Sequence, residues 1–232
     1  MWGLNMIIDG FEKLTLLDYP GHMACIIFTR GCNFSCSYCQ NSSLIKHSSA
    51  KGLISEEEVL DYLTLRKNVL DGIVISGGEP TLQVDLIGFI KRVKELKLKV
   101  KLDTNGSNPK LIKRLIDEGL VDYVAMDIKH DLDKYEIVSK CKINKKFIEE
   151  SIKVLKNSNI DYEFRTTIIK EYHSIKDIEK IIKLVGNSKY YIQNFKLSDD
   201  VLDKSLTSFT EEELKEIQAK FKEKSNVFIR GL

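Results

Sequence analysis

Six short apolar runs alternate with amphipathic helical patterns from residue 24 onward, and that alternation leaves few folds open. The runs cover 24–29, 73–76, 99–103, 123–127, 162–168 and 190–195, and most are rich in β-branched or aromatic residues. Between them, Ser55-Glu56-Glu57-Glu58 has a capping-box pattern and opens a helix to about residue 70. Apolar residues recur at helical spacing over 84–96, 109–118, 144–155 and 175–185, with Gly119 as a C-terminal cap. Thr210-Glu211-Glu212-Glu213 opens a last helix. Strand and helix alternating in this way predict an α/β fold, a parallel sheet with crossovers of one hand. No Pro/Gly/Ser-rich linker divides the chain, so 1–232 is expected to form one domain. An N-terminal extension (1–21) holds a hairpin or edge strand at 7–17. A core (22–200) and a C-terminal helix and strand (201–232, with the strand at 227–230) complete it.

The unusual polar residues fall where these runs end, and parallel α/β folds do their chemistry at the carboxyl ends of strands. Cys32, Cys36 and Cys39 follow the first run with the spacing C-x3-C-x2-C. Three thiolates on one short loop can hold three irons of a cubane cluster and leave the fourth iron open. A structural zinc needs four ligands, and His47 is the fourth ligand for that alternative. Gly77-Gly78-Glu79-Pro80 follows the second run, where the proline sets the start of a helical turn. Asp103 ends the third run; it is either a ligand carboxylate or the start of a turn through Asn105-Gly106. Asp127 and Lys129 end the fourth, as site groups or as an ordinary solvated pair. The four histidines, His22, His47, His130 and His173, read as isolated loop or surface residues. Cys25 reads as an inert buried thiol, and Cys141 stands apart.

Formal net charge is +2, with lysines spread among acids rather than gathered in a basic block, so nucleic acid is not an expected partner. No apolar run approaches the ~20 residues that span a bilayer, and the first residues lack the pattern of a secretory signal. Five cysteines in such a chain point to metal or redox use in the cytoplasm rather than to a disulfide framework.

The cysteine loop directly after the first strand, with Gly-Gly-Glu-Pro after the second, resembles the radical S-adenosylmethionine (SAM) enzymes over nearly the whole chain. Within them it is similar to the activating enzymes of glycyl radical enzymes, above all those serving anaerobic ribonucleoside-triphosphate reductase. The residues that carry this are Gly10-Phe11, Leu17-Asp18-Tyr19-Pro20-Gly21, Phe28-Thr29-Arg30-Gly31-Cys32-Asn33-Phe34, Cys39-Gln40-Asn41 and Leu102-Asp103-Thr104-Asn105-Gly106. The resemblance implies a partial (β/α)6 barrel. It implies a [4Fe–4S] cluster on Cys32, Cys36 and Cys39, whose open iron takes the amino and carboxylate groups of SAM. One electron from the cluster would then break the C5′–S bond and give a 5′-deoxyadenosyl radical.

It further implies that Gly77 and Gly78 let the backbone approach SAM, that Glu79 takes its ammonium, Lys129 its carboxylate, and that Tyr38 lies near the adenine. Gln193 and Asn194 fall where a related activase places a ribose-contacting histidine, which this chain lacks. Asp103, Thr104, Met126 and Asp127 match a monovalent-cation site, and Asp18 and Arg165 match a pair near the substrate's glycine loop. The implied partners are a glycyl radical enzyme, with anaerobic ribonucleotide reductase ahead of the pyruvate formate-lyase type, and a flavodoxin or ferredoxin as reductant. Two other readings stay open. One is a small-molecule radical SAM enzyme such as a 7-carboxy-7-deazaguanine synthase; the other is a non-catalytic zinc or electron-transfer module.

Overall fold

The computed structural model describes residues 5–45 and 52–230, so His47 lies outside the described residues. Among the described residues, eight strands form one sheet in chain order. They are β1 (Ile8–Thr15), β2 (Ala24–Thr29), β3 (Gly72–Gly77), β4 (Lys99–Thr104), β5 (Tyr123–Asp127), β6 (Asp161–Ile168), β7 (Tyr190–Asn194) and β8 (Val227–Arg230). β1 runs antiparallel to β2, and every later pairing is parallel. The two edges, β1 and β8, do not pair with each other, so the sheet curls into an open partial barrel.

The crossovers carry α1 (Glu56–Arg66), α2 (Leu86–Glu95), α3 (Pro109–Asp117), α5 (Lys145–Lys156) and α6 (Ile175–Val185), and α7 (Glu211–Lys220) leads into β8. A five-residue helix, α4 (Tyr135–Ser139), precedes α5. It is too short to show a repeating apolar stripe, and the sequence pattern gave no sign of it. Ser174 and Thr210 close capping boxes at the starts of α6 and α7.

Side chains alternate across each strand and divide the apolar residues into two layers. Ile27, Ile75, Leu102, Val124 and Phe164 point outward into a core with Phe89, Val93, Ile112, Leu115 and Ile181 of the helices. The inner face carries a smaller cluster of Tyr19, Ala24, Ile26, Val74, Tyr123 and Ala125 toward the amino ends of the strands. Above it, Phe28, Ser76, Asp103, Asp127, Arg165 and Gln193 line the hollow at the carboxyl rim. The register brings the rim together, with Thr29 opposite Gly77, Asp127 opposite Arg165 and Gln193 opposite Arg230. No described helix is long and apolar enough to cross a membrane.

His130 and His173 depart from the sequence expectation. Both rings are buried, at 0% and 1% exposure, and they stack 4.9 Å apart. His173 accepts from the Ile169 N–H and donates through Nε2 to the Lys129 carbonyl at 3.0 Å, while His130 donates to the Tyr172 carbonyl. Two histidines far apart in sequence thus brace the loop that follows β5. Burial, reinforced by His130, pulls the His173 pKa down from 6.5 to about 4. The unfolded chain therefore binds this proton first, and stability is fully present above about pH 6.5 and falls as pH drops toward about 4. The integrated loss is about 3 kcal/mol. Urea unfolding compared at about pH 7 and about pH 5 is expected to show roughly 2 kcal/mol of it. His173→Gln should flatten that window; an unchanged slope in the variant would assign the loss elsewhere.

Candidate active site

The rim encloses a hollow of about 310 Å³, lined by Cys32, Cys36 and Cys39 on one side and by Asp18, Asp103, Asp127, Lys129, Arg165 and Gln193 on the others. The cysteine loop is fastened to every neighbouring strand-end loop. Asn33 donates to Ser107 Oγ and accepts from Asn105 after β4. The Ser35 N–H donates to the Ser139 carbonyl after β5, Ser37 Oγ meets Tyr172 Oη after β6, and Gln40 donates to the Lys196 carbonyl after β7. Burial pushes the Cys32 thiol up to about 12 and the Cys36 thiol up to about 11, so iron bound here must displace protons.

A chain of alternating charges crosses the opposite wall. Lys101 pairs with Asp103, and Arg165 spans from Asp103 Oδ2 (3.5 Å) to Asp127 Oδ1 (2.9 Å). Lys129 closes the series on Asp127 Oδ2 at 3.1 Å. Burial would raise the Asp127 carboxyl, but Arg165 and Lys129 outweigh it and hold it at about 2. Asp103 is lowered for the same reason, by Arg165 and Lys101 against burial. Three cations face two anions here, which leaves the wall one positive charge in excess and suited to an anionic ligand group. Lys129 also lies 5.8 Å from the centre of the Tyr38 ring, at cation–π distance. The Tyr38 hydroxyl is buried without a hydrogen-bond partner among the described residues, a polar atom that a ligand can satisfy.

Gly77 and Gly78 are required by a closer neighbour than a ligand. Gly77 has φ +111°, and a Cβ there would overlap the Thr29 backbone; a Cβ on Gly78 would overlap the Gly31 carbonyl. The Gly78 N–H donates to the Thr29 carbonyl and the Glu79 N–H to the Gly31 carbonyl, both at 2.8 Å. The β2–β3 ladder thereby continues into the cysteine loop.

Glu79 turns away from the hollow. It is fully buried, and its carboxylate accepts from Thr81 N and Oγ1, from Thr104 Oγ1 (2.8 Å) and from the Asn105 N–H (2.7 Å). The sequence expectation placed this carboxylate on the SAM ammonium; here it ties together the turns after β3 and β4. Burial raises its pKa against those four donors. The residues matched to a monovalent cation are likewise engaged within the protein. Thr104 Oγ1 serves Glu79, the Met126 side chain is fully buried against Gly106, and both aspartates carry cationic partners.

Asp18 lines the hollow from the β1–β2 connection and bonds to Thr15; Arg165 reaches Asp103 and Asp127 instead of Asp18. Asn194 exchanges two hydrogen bonds with the backbone of Phe209 and supports the segment before α7. Cys25 is fully buried on the outer face of β2. Sequence reasoning passed over Lys101 and Ser76 and took Asn105 only as a turn and motif residue. Ser76 donates to Asp103 at 3.1 Å, and Asn105 stands beside both Asn33 and Cys32 Sγ. A lysine inside a strand, on the same face as an acid two residues on and alternating with buried apolar residues, is the signal that could have found Lys101.

The family described as the radical SAM superfamily matches residues 26–185. A Methanocaldococcus jannaschii protein named as a glycyl-radical enzyme activating enzyme is 38% identical over 225 residues, covering 92% of this chain and 91% of the relative. The pyruvate formate-lyase-activating enzyme of Clostridium pasteurianum is 30% identical, covering 90% of this chain and 97% of its own length. Among solved structures, Streptococcus suis SuiB bound to S-adenosylmethionine superposes with TM-score 0.68 at 14% identity. That match covers 86% of this chain, which spans just under half (48%) of the SuiB chain. Escherichia coli QueE gives TM-score 0.58 at 15% identity, with 99% and 95% covered.

Proposed function

Because the chain belongs to the radical SAM superfamily, among the activating enzymes of glycyl radical enzymes, we propose that it installs a glycyl radical on anaerobic ribonucleoside-triphosphate reductase. The observation that carries the reading is the pairing of an open sheet with a three-cysteine hollow. β1 and β8 are unpaired edges of the sheet, and we read that open side as the approach for a loop of another protein. The near-complete coverage of the Clostridium pasteurianum enzyme supports a partner of the pyruvate formate-lyase type as the second reading.

The residues fit the cofactors of this family. Cys32, Cys36 and Cys39 would hold the [4Fe–4S] cluster, and Lys129 with the excess positive charge of the wall would hold the SAM carboxylate. Tyr38 would meet SAM with its ring face and its unsatisfied hydroxyl. When bound, the reduced cluster and SAM supply one-electron chemistry that removes a hydrogen atom from a glycine Cα. Asp18 and Arg165, on different walls of the hollow, would orient the partner's backbone for that transfer.

The test is electron paramagnetic resonance on cluster-loaded, chemically reduced protein mixed with SAM and each candidate partner. A glycyl radical signal on the reductase, weaker or absent on the lyase, is expected. A signal confined to the lyase would move the assignment to the second reading. Turnover of a small molecule with no protein radical would end both.

A further inference from the structure

The carboxylate oxygens matched to a monovalent cation already face cations that belong to the chain. Each of the four carboxylate oxygens of Asp103 and Asp127 is engaged: Asp103 Oδ1 by Lys101, Asp103 Oδ2 and Asp127 Oδ1 by Arg165, and Asp127 Oδ2 by Lys129. Thr104 donates its hydroxyl to Glu79, and Met126 is buried on the outer face of β5. A hard cation seeks several oxygens at once, and here it would enter beside an ammonium and a guanidinium that repel it. The side-chain oxygens of this set do not fit an alkali ion.

Lys101 is the least expected member of this series. Its side chain is 2% exposed, and lysines are almost never buried so far without a partner. It lies two residues before Asp103 on β4, so both side chains share the inner face and the ammonium meets the carboxylate along the strand. The Tyr123 ring lies within 5.8 Å of the ammonium, while the Tyr123 hydroxyl is spent on Glu163. Ser76 holds the other oxygen of Asp103.

We propose that Lys101 supplies within the chain the positive charge that an alkali ion would otherwise bring, and that as a positioning residue it fixes Asp103 so that SAM binds without any alkali ion. The proposal rests on the SAM-binding reading, and two measurements separate their failures. The first is SAM affinity of the cluster-loaded protein by calorimetry in sodium, potassium or choline chloride at equal ionic strength. The second is the thermal midpoint in the same salts without SAM.

The wild-type Kd is expected to agree within about twofold across the three salts, and the midpoint within about 1 °C. Lys101→Met should bind SAM about tenfold more weakly in choline and recover severalfold in sodium or potassium, which also raise its midpoint. Lys101→Arg, which keeps the charge, should remain indifferent to the cation. A wild-type Kd at least about fivefold weaker in choline, or a wild-type midpoint raised selectively by sodium or potassium, overturns the proposal. Weak binding by Lys101→Met in every salt overturns it too. If that variant does not fold, the wild-type and Lys101→Arg comparisons decide. A chain that binds SAM in none of the salts loses the functional reading, while the midpoints still judge the role of Lys101.

Discussion

Cys36→Ala is expected to lower reductive SAM cleavage by at least about a thousandfold while the chain stays folded. The thiol is 6% exposed on a loop held by backbone and neighbouring side chains, and its own side chain is not among those holding the loop. Losing one sulfur from that position costs about 1 kcal/mol of packing. On the proposed assignment of the three cysteines to the cluster, losing one of them removes the cluster's footing altogether. The measurements are iron and sulfide per chain after anaerobic reconstitution, SAM cleavage products, and the thermal midpoint. Full iron content with unimpaired cleavage would show that Cys36 is not a cluster ligand. Zinc in the wild-type chain in place of iron would revive the structural alternative.

Glu79→Ala is expected to cost about 3 kcal/mol of stability, roughly 10 °C in thermal midpoint for a chain of this size. The reason is the set of donors left behind. Thr81 N, Thr81 Oγ1, Thr104 Oγ1 and Asn105 N all give their hydrogens to this one carboxylate in the interior. Orphaned buried donors carry their full desolvation cost. Glu79→Gln keeps an acceptor for the three donors on Oε1 but turns its amide group toward the Asn105 N–H, and should fall between wild type and alanine. SAM affinity would then drop through movement of the cysteine loop, whose start the Gly78 and Glu79 N–H groups fasten to the turn after β3. If the alanine variant melts as wild type does and loses only SAM affinity, the carboxylate belongs to the ligand after all.

These two residues show where a sequence is readable and where it is not. The cysteine spacing is legible in the local chain, because the three proposed cluster ligands sit on one loop. The alternation of strands and helices is equally local, since each element's apolar period is set by its own backbone geometry. The direction in which Glu79 points depends instead on donors from Thr104 and Asn105, some 25 residues away in sequence. Likewise the cationic character of the Asp103–Asp127 wall is set by Lys101 within β4, Arg165 within β6 and Lys129 just after β5. The two buried histidines belong to the same class. Each looks solitary until the sheet brings the loops after β5 and β6 together.

The fastening of the cysteine loop bears on the order in which this protein is built. In small zinc domains the metal's binding energy is the folding energy, and the stripped chain collapses. Here Asn33, Ser35, Ser37 and Gln40 anchor the loop to four neighbouring segments through bonds that involve no metal. The ordering of the loop is thus charged to the sheet, and iron arrives at a scaffold that is already shaped. Such a chain is expected to keep its fold when iron is stripped from it, with a thermal midpoint close to that of the loaded protein, and to wait for iron and sulfide as a finished receptacle.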